Sequence, residues 1–234
     1  DNDGRLQFRG GTIDNPLTVG SGGANLRPAN STTDYAGSVQ VWGDLATGAG
    51  PWDRIEFTGP MTLHDDVTVS GGNTNTNSAF STGLTGDMAG EQTLGINVTG
   101  LGFVAGDPGS NWNIGSLAKS GSGELRLASA DVLGPLAEIE WDGEATLTVL
   151  AGTIDLNADQ VVNQLVLDTD IFTTPGTYGA AGSGADFTPS NWDTYFPGSG
   201  SNLITVVKKI PEPASAALLL GPAAAMLLRR KQAA

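Results

Sequence analysis

His64 is the single histidine of this 234-residue chain, and in "MTLHDDVTV" it is followed directly by two aspartates. An imidazole beside carboxylates can bind a metal or serve as a base that its acidic neighbour orients. No second histidine, no cysteine and no Gly-x-Ser-x-Gly elbow accompanies it, so the favoured reading is a surface turn histidine. In "AEIEWDGEATL", Glu138, Glu140 and Asp142 alternate and so share one face of a strand. Such a face could bind calcium or offer a carboxylate pair for glycoside hydrolysis, although a solvated acidic surface is the simpler reading. The calcium-binding nonapeptide Gly-Gly-x-Gly-x-Asp does not occur. A polysaccharide lyase would need an exposed basic residue among clustered acids, and the body offers Arg5, Arg9, Arg27, Arg54, Lys119 and Arg126, scattered along the chain. Trp42, Trp52, Trp112, Trp141 and Trp192 could present apolar faces to sugars, but their wide spacing favours packing or capping roles. No phosphate loop, dinucleotide fingerprint or basic aromatic stripe is present. The expectation is therefore a non-catalytic protein with no metal site and no cofactor.

The elements that must position these residues follow from composition. With 34 glycines, 12 prolines and many Asn, Ser and Thr residues, long helices have little room before the last stretch of chain. Apolar residues recur instead as alternating pairs: "LQF", "VQV", "IEF", "MTL", "VTV", "LRL", "IEW", "LTV", "IDL" and "LVL". A period of two places both members of a pair on one face of a strand. In the second half the pairs fall at Leu125/Leu127, Ala137/Ile139, Leu147/Val149, Ile154/Leu156 and Leu165/Leu167, which suits short strands joined by tight turns. The fold class is all-β. A right-handed parallel β-solenoid is favoured, because Gly, Asn and Asp clusters supply its corners and scarce Phe and Tyr suit a narrow core. An antiparallel sandwich or jelly roll is the alternative, since no strict repeat length is visible.

The formal charge is −14, and five of the eleven basic residues are Lys208, Lys209, Arg229, Arg230 and Lys231. Residues 1–207 thus hold 24 acidic against 6 basic groups, a net −18. A body so acidic is repelled by nucleic acid and by anionic lipid, which leaves neutral glycans or divalent cations as partner classes. The chain starts within a β-type run, "DNDGRLQFRGGTI", with neither a basic nor an apolar leader region, which reads as a fragment or a trimmed start.

One stretch is more particular. In "LAKSGSGELRLASADVLGP", Leu117, Lys119, Gly121, Gly123, Leu125 and Leu127 resemble the autotransporter-associated β-strand repeat, whose lysine precedes a Gly-rich turn and a strand of alternating leucines. Further on, "PGTYGA" at residues 175–180 resembles the closing segment found downstream of such repeats.

The chain from residue 208 onward differs from the body. From Ala214 to Leu228 no residue is charged and Ser215 alone is polar, so a helix there would be apolar on every side. Such a helix belongs in a bilayer, because a body of this size has no core able to enclose it. At about 22 Å it is short of the roughly 30 Å hydrocarbon core, and Arg229, Arg230 and Lys231 would offset part of the mismatch by reaching the interface. The same three residues set a cytoplasmic C-terminal side and place the body across the membrane. Pro211-Glu212-Pro213, the apolar span 214–228 and the basic cluster resemble, in that order, the PEP-CTERM sorting signal of Gram-negative bacteria. That resemblance implies processing by an exosortase after transient insertion in the inner membrane, and delivery to the cell surface or its exopolysaccharide matrix. Two domains follow: a β-solenoid body over 1–207 and a sorting tail over 208–234.

Overall fold

Side chains that alternate between core and solvent can build a closed core from very short strands if each turn of chain lies directly on the one before it. A computed structural model of the chain describes residues 5–28, 31–47, 54–71, 82–99, 102–108, 110, 112–128 and 146–207. It is a parallel β-solenoid. The first turn is β1 (Arg5–Phe8), β2 (Gly11–Ile13) and β3 (Leu17–Val19). The second is β4 (Ala24–Pro28), β5 (Thr32–Tyr35) and β6 (Val39–Val41), and the third is β7 (Leu45–Thr47), β8 (Arg54–Phe57) and β9 (Met61–Leu63). Then come β10 (Val67–Gly71), β11 (Thr82–Leu84), β12 (Met88–Val98), β13 (Phe103–Ala105), β14 (Trp112–Ser120), β15 (Glu124–Leu127), β16 (Thr146–Val149), β17 (Thr153–Leu156), β18 (Gln160–Val162) and β19 (Gln164–Leu167).

Three faces result. One runs β1-β4-β7-β10-β12-β14-β16-β19, the second β2-β5-β8-β11-β13-β15-β17, and the third joins β3, β6, β9 and the first half of β12, all in parallel pairing. β12 and β14 are long because each continues round a corner and belongs to two successive turns. The parallel register sets aside the antiparallel sandwich; the expected hydrophobic helix of the tail lies outside the described residues. Among the described residues no helix is long and apolar enough to cross a membrane.

The core is a set of columns. Ala24, Leu45, Val69, Ile96, Lys119, Val149 and Leu167 follow one another through the sheet register. Beside them stand Val67, Leu94, Leu117, Leu147 and Leu165. Leu125, Leu127, Leu147, Val149, Ile154, Leu156, Leu165 and Leu167 are buried, as the alternation requires. Leu6 pairs with Leu26 in register, yet it is 46% exposed because it is the outermost described member of its column.

The opposite end is closed. β20 (Asp170–Phe172) turns back antiparallel on β19, and β21 (Gly176–Tyr178) lies antiparallel to β22 (Ile204–Val206), which pairs with β18. A four-residue helix, α1 (Trp192–Tyr195), packs Trp192 on Phe196 with ring centroids 4.4 Å apart. Tyr178, within the "PGTYGA" segment, meets Phe172 and Phe187. An antiparallel strand and aromatic plug of this kind occupy the strand edges that would otherwise invite further pairing.

Candidate functional site

Two corners of the solenoid gather the residues that sequence reasoning singled out. The first follows the third face. Trp42 comes directly after β6 and His64 directly after β9, so they sit one turn apart at the same position. Their rings stack with centroids 4.0 Å apart and planes within 5° of parallel. His64 Nε2 lies 2.6 Å from Gln40 Oε1, while Gln40 Nε2 donates to Thr62 Oγ1 at 3.2 Å. A carbonyl oxygen can only accept, so the imidazole carries its proton on Nε2. The ring is therefore held from its edge by an amide and from its face by an indole.

The aspartates behind His64 turn elsewhere. Asp66 Oδ1 accepts the backbone N–H of Thr93 at 2.7 Å, Asp44 Oδ1 accepts that of Thr68 at 2.7 Å, and Asp65 Oδ1 accepts that of Asp66 at 2.9 Å. Two of these bonds reach the next turn of the solenoid, to Thr68 near the start of β10 and to Thr93 where β12 rounds its corner, and each satisfies a backbone donor. Among the described residues no carboxylate hydrogen-bonds the imidazole, so the base-and-orienter arrangement considered from sequence is not assembled. His64 is exposed at a turn, as expected.

The second corner joins β14 to β15. Lys119 occupies an inward position in an otherwise aliphatic column and has no exposed surface. Its ammonium donates to the carbonyls of Ser120 at 2.8 Å, Gly121 at 2.7 Å and, from the following turn, Ala151 at 3.0 Å. Three donors meet three acceptors, which is what makes the burial tolerable. No carboxylate contacts the amine among the described residues, and burial lowers its pKa from 10.5 to about 8. The corner depends on glycine: Gly121 and Gly152 have φ of +73° and +74°. A Cβ on Gly152 would stand 2.4 Å from the carbonyl oxygens of both Gly121 and Gly123 and 2.7 Å from Lys119 Nζ.

The other candidates are dispersed. Arg126 bonds Asp155 at 2.9 Å and Arg54 bonds Glu56 at 2.8 Å, on the second face. Arg9 is exposed and Arg27 half-buried, and the side chain of Arg5 is not described. Trp112 and Trp192 are buried, Trp112 donating its indole N–H to the carbonyl of Gly86 at 3.0 Å, so both are packing residues. Trp52, Trp141, Glu138, Glu140 and Asp142 lie outside the described residues, as do Pro211, Glu212, Pro213, Ala214, Leu228, Arg229, Arg230 and Lys231. A shallow depression of about 270 Å³ on the third face is bordered by Met61, Thr62, Asp87, Met88, Ala89 and Asn113. That is below the usual size of a small-molecule site. Among the described residues no three His, Cys, Asp or Glu side chains gather as a metal ion would require.

Gln40 and the pairing of Trp42 with His64 escaped the sequence reading. The signal was there in "VQVW" and "MTLH", which align residue for residue at an interval equal to one turn. Set against models of known families, curated proteins and solved structures, the chain matches none.

Proposed function

We propose that this chain is an exported, non-catalytic component of the cell surface or exopolysaccharide matrix. Its right-handed β-solenoid body would be carried across the inner membrane on a C-terminal PEP-CTERM signal and released by an exosortase. The hand follows from the strong preference of parallel crossovers for right-handed connection. The observation that carries the reading is the ordered tail: Pro211-Glu212-Pro213, the uncharged span bounded by Ala214 and Leu228, and Arg229-Arg230-Lys231. Each proline fixes its own φ and disfavours helix in the residue before it, so the sequence would favour an extended Ile210 and Glu212 open to a protease just outside the bilayer. The described part of the body is consistent with the reading: Asp44 and Asp66 accept backbone N–H groups, Arg54 and Arg126 pair with acids, and His64 bonds the amide of Gln40.

Mass spectrometry of the protein recovered from a host with an exosortase tests this. The mature chain should lack everything beyond the Pro-Glu-Pro region, and replacing residues 211–213 by three alanines should leave it uncleaved and membrane-bound. A wild-type product that still carries Arg230 and Ala234 would make the tail a plain anchor. A carbohydrate-binding role is the second reading, and the exposed Trp42–His64 stack favours it.

A further inference from the structure

The Trp42–His64 corner is a ladder with a missing step. One turn before Trp42, at the corresponding position after β3, stands Gly20, which has no side chain to cover the indole. A Cβ built on Gly20 would meet nothing within 4 Å, so the step is open space. Trp42 is accordingly 39% exposed, one of the few large apolar side chains at the surface among the described residues.

We propose that this step is a subsite for one ring of a neutral sugar, which would stack its C–H face on the indole face turned away from His64. Turns of a parallel solenoid repeat at about 4.8 Å, so a flat ring entering at the Gly20 level continues the stack that Trp42 and His64 begin. An aromatic face is electron-rich and favours the weakly positive C–H groups of a pyranose. The platform is fixed before binding, since His64 is held by Gln40 and Gln40 by Thr62, which limits the ordering that binding must supply. Thr18 and Ser21 are exposed beside the step and offer hydroxyls to the rim of the ring. Charge chooses the class of glycan. Asp44, Asp65 and Asp66 lie on this same corner of a strongly acidic body, so uronate or sulfated polymers are repelled while neutral hydroxyls meet hydrogen-bond acceptors.

The inference rests on the matrix reading for where such a polymer would be met. Its test is independent of that reading: the full chain is run by affinity electrophoresis through gels containing hydroxyethylcellulose, dextran or polygalacturonate. At least one of the two neutral polymers should retard the wild type and polygalacturonate should not. Trp42→Ala should weaken the retardation at least tenfold, and Trp42→Phe should retain part of it. Gly20→Leu, which fills the open step, should weaken it as much as Trp42→Ala while melting like the wild type. Absence of retardation by both neutral polymers, equal retardation of Trp42→Ala, or stronger retardation by polygalacturonate would overturn the subsite. The C-terminal mass of the exported protein reads the sorting signal separately, so failure of either is recognised by itself.

Discussion

The two corners of the solenoid use one device, a side chain that reaches across turns, to opposite ends. At the β14–β15 corner Lys119 is turned inward, shut off from water, and joins two successive turns through three carbonyls. At the corner after β6 and β9, Trp42 and His64 are turned outward and stack on one another in contact with solvent. Burial makes the first corner costly to disturb, because a buried donor or acceptor left without a partner loses its full hydration. Exposure makes the second nearly neutral for folding and free for recognition. In a repeating fold, where each turn contacts only its neighbours, stability and binding can thus be assigned to different corners of the same coil.

Breaking the buried corner should produce the largest effect. Gly152→Ala forces a Cβ against two carbonyl oxygens and the ammonium at a positive φ, with no flexible side chain to yield except Lys119 itself. Loss of more than about 4 kcal/mol is expected, read as collapse of folded yield or of the urea midpoint. Lys119→Met keeps the volume but leaves three carbonyls without their donor, at a cost of about 2 kcal/mol at pH 7 by denaturant unfolding.

The same lysine predicts a pH dependence whose sign is definite. Burial lowers its pKa to about 8, so above that pH the folded chain sheds a proton that the unfolded chain keeps until about 10.5. Stability should therefore rise as pH increases from 8 toward 10, on a scale of at most roughly 3 kcal/mol. Tyr35, whose pKa burial raises, works the other way only above its ordinary value of 10.0. Lys119→Met should lack the rise, and unfolding curves of both proteins at pH 7.5 and 9.5 check it.

Smaller effects belong to the exposed corner. Asp66→Ala removes the acceptor for Thr93 N–H and should cost about 1 kcal/mol in the same unfolding assay, because that donor is left without its partner at the irregular step of β12.

Much of the fold was legible because core positions obey a strict period of two. The pairs from Leu125 to Leu167 that lie in the described residues are all buried where alternation placed them. The turn length was not legible, and the register shows why: Leu117 pairs with Leu147, yet Leu147 pairs with Leu165, so successive turns differ by a dozen residues. Corners absorb insertions without disturbing the columns, and this erases any fixed repeat. Lys119 illustrates a second limit. Its spacing from Leu117 marks it as inward, but charge argues for solvent, and only the carbonyls of its own corner and of Ala151 in the next turn reconcile the two. The pairing of Trp42 with His64 is a contact between turns, which becomes visible in a sequence only once the turn length is known.

Thermal melting of Lys119→Met and Trp42→Ala beside the wild type at pH 7 tests the division between corners most directly. A change of 1 kcal/mol moves the Tm of a domain of this size by about 2 to 4 °C. Lys119→Met should therefore melt about 4 to 8 °C lower, and Trp42→Ala, which gives up one exposed ring contact, should fall by no more than about 3 °C. A fall for Trp42→Ala as large as that for Lys119→Met would show that the exposed stack holds the coil together, contradicting the separation of a building corner from a binding one.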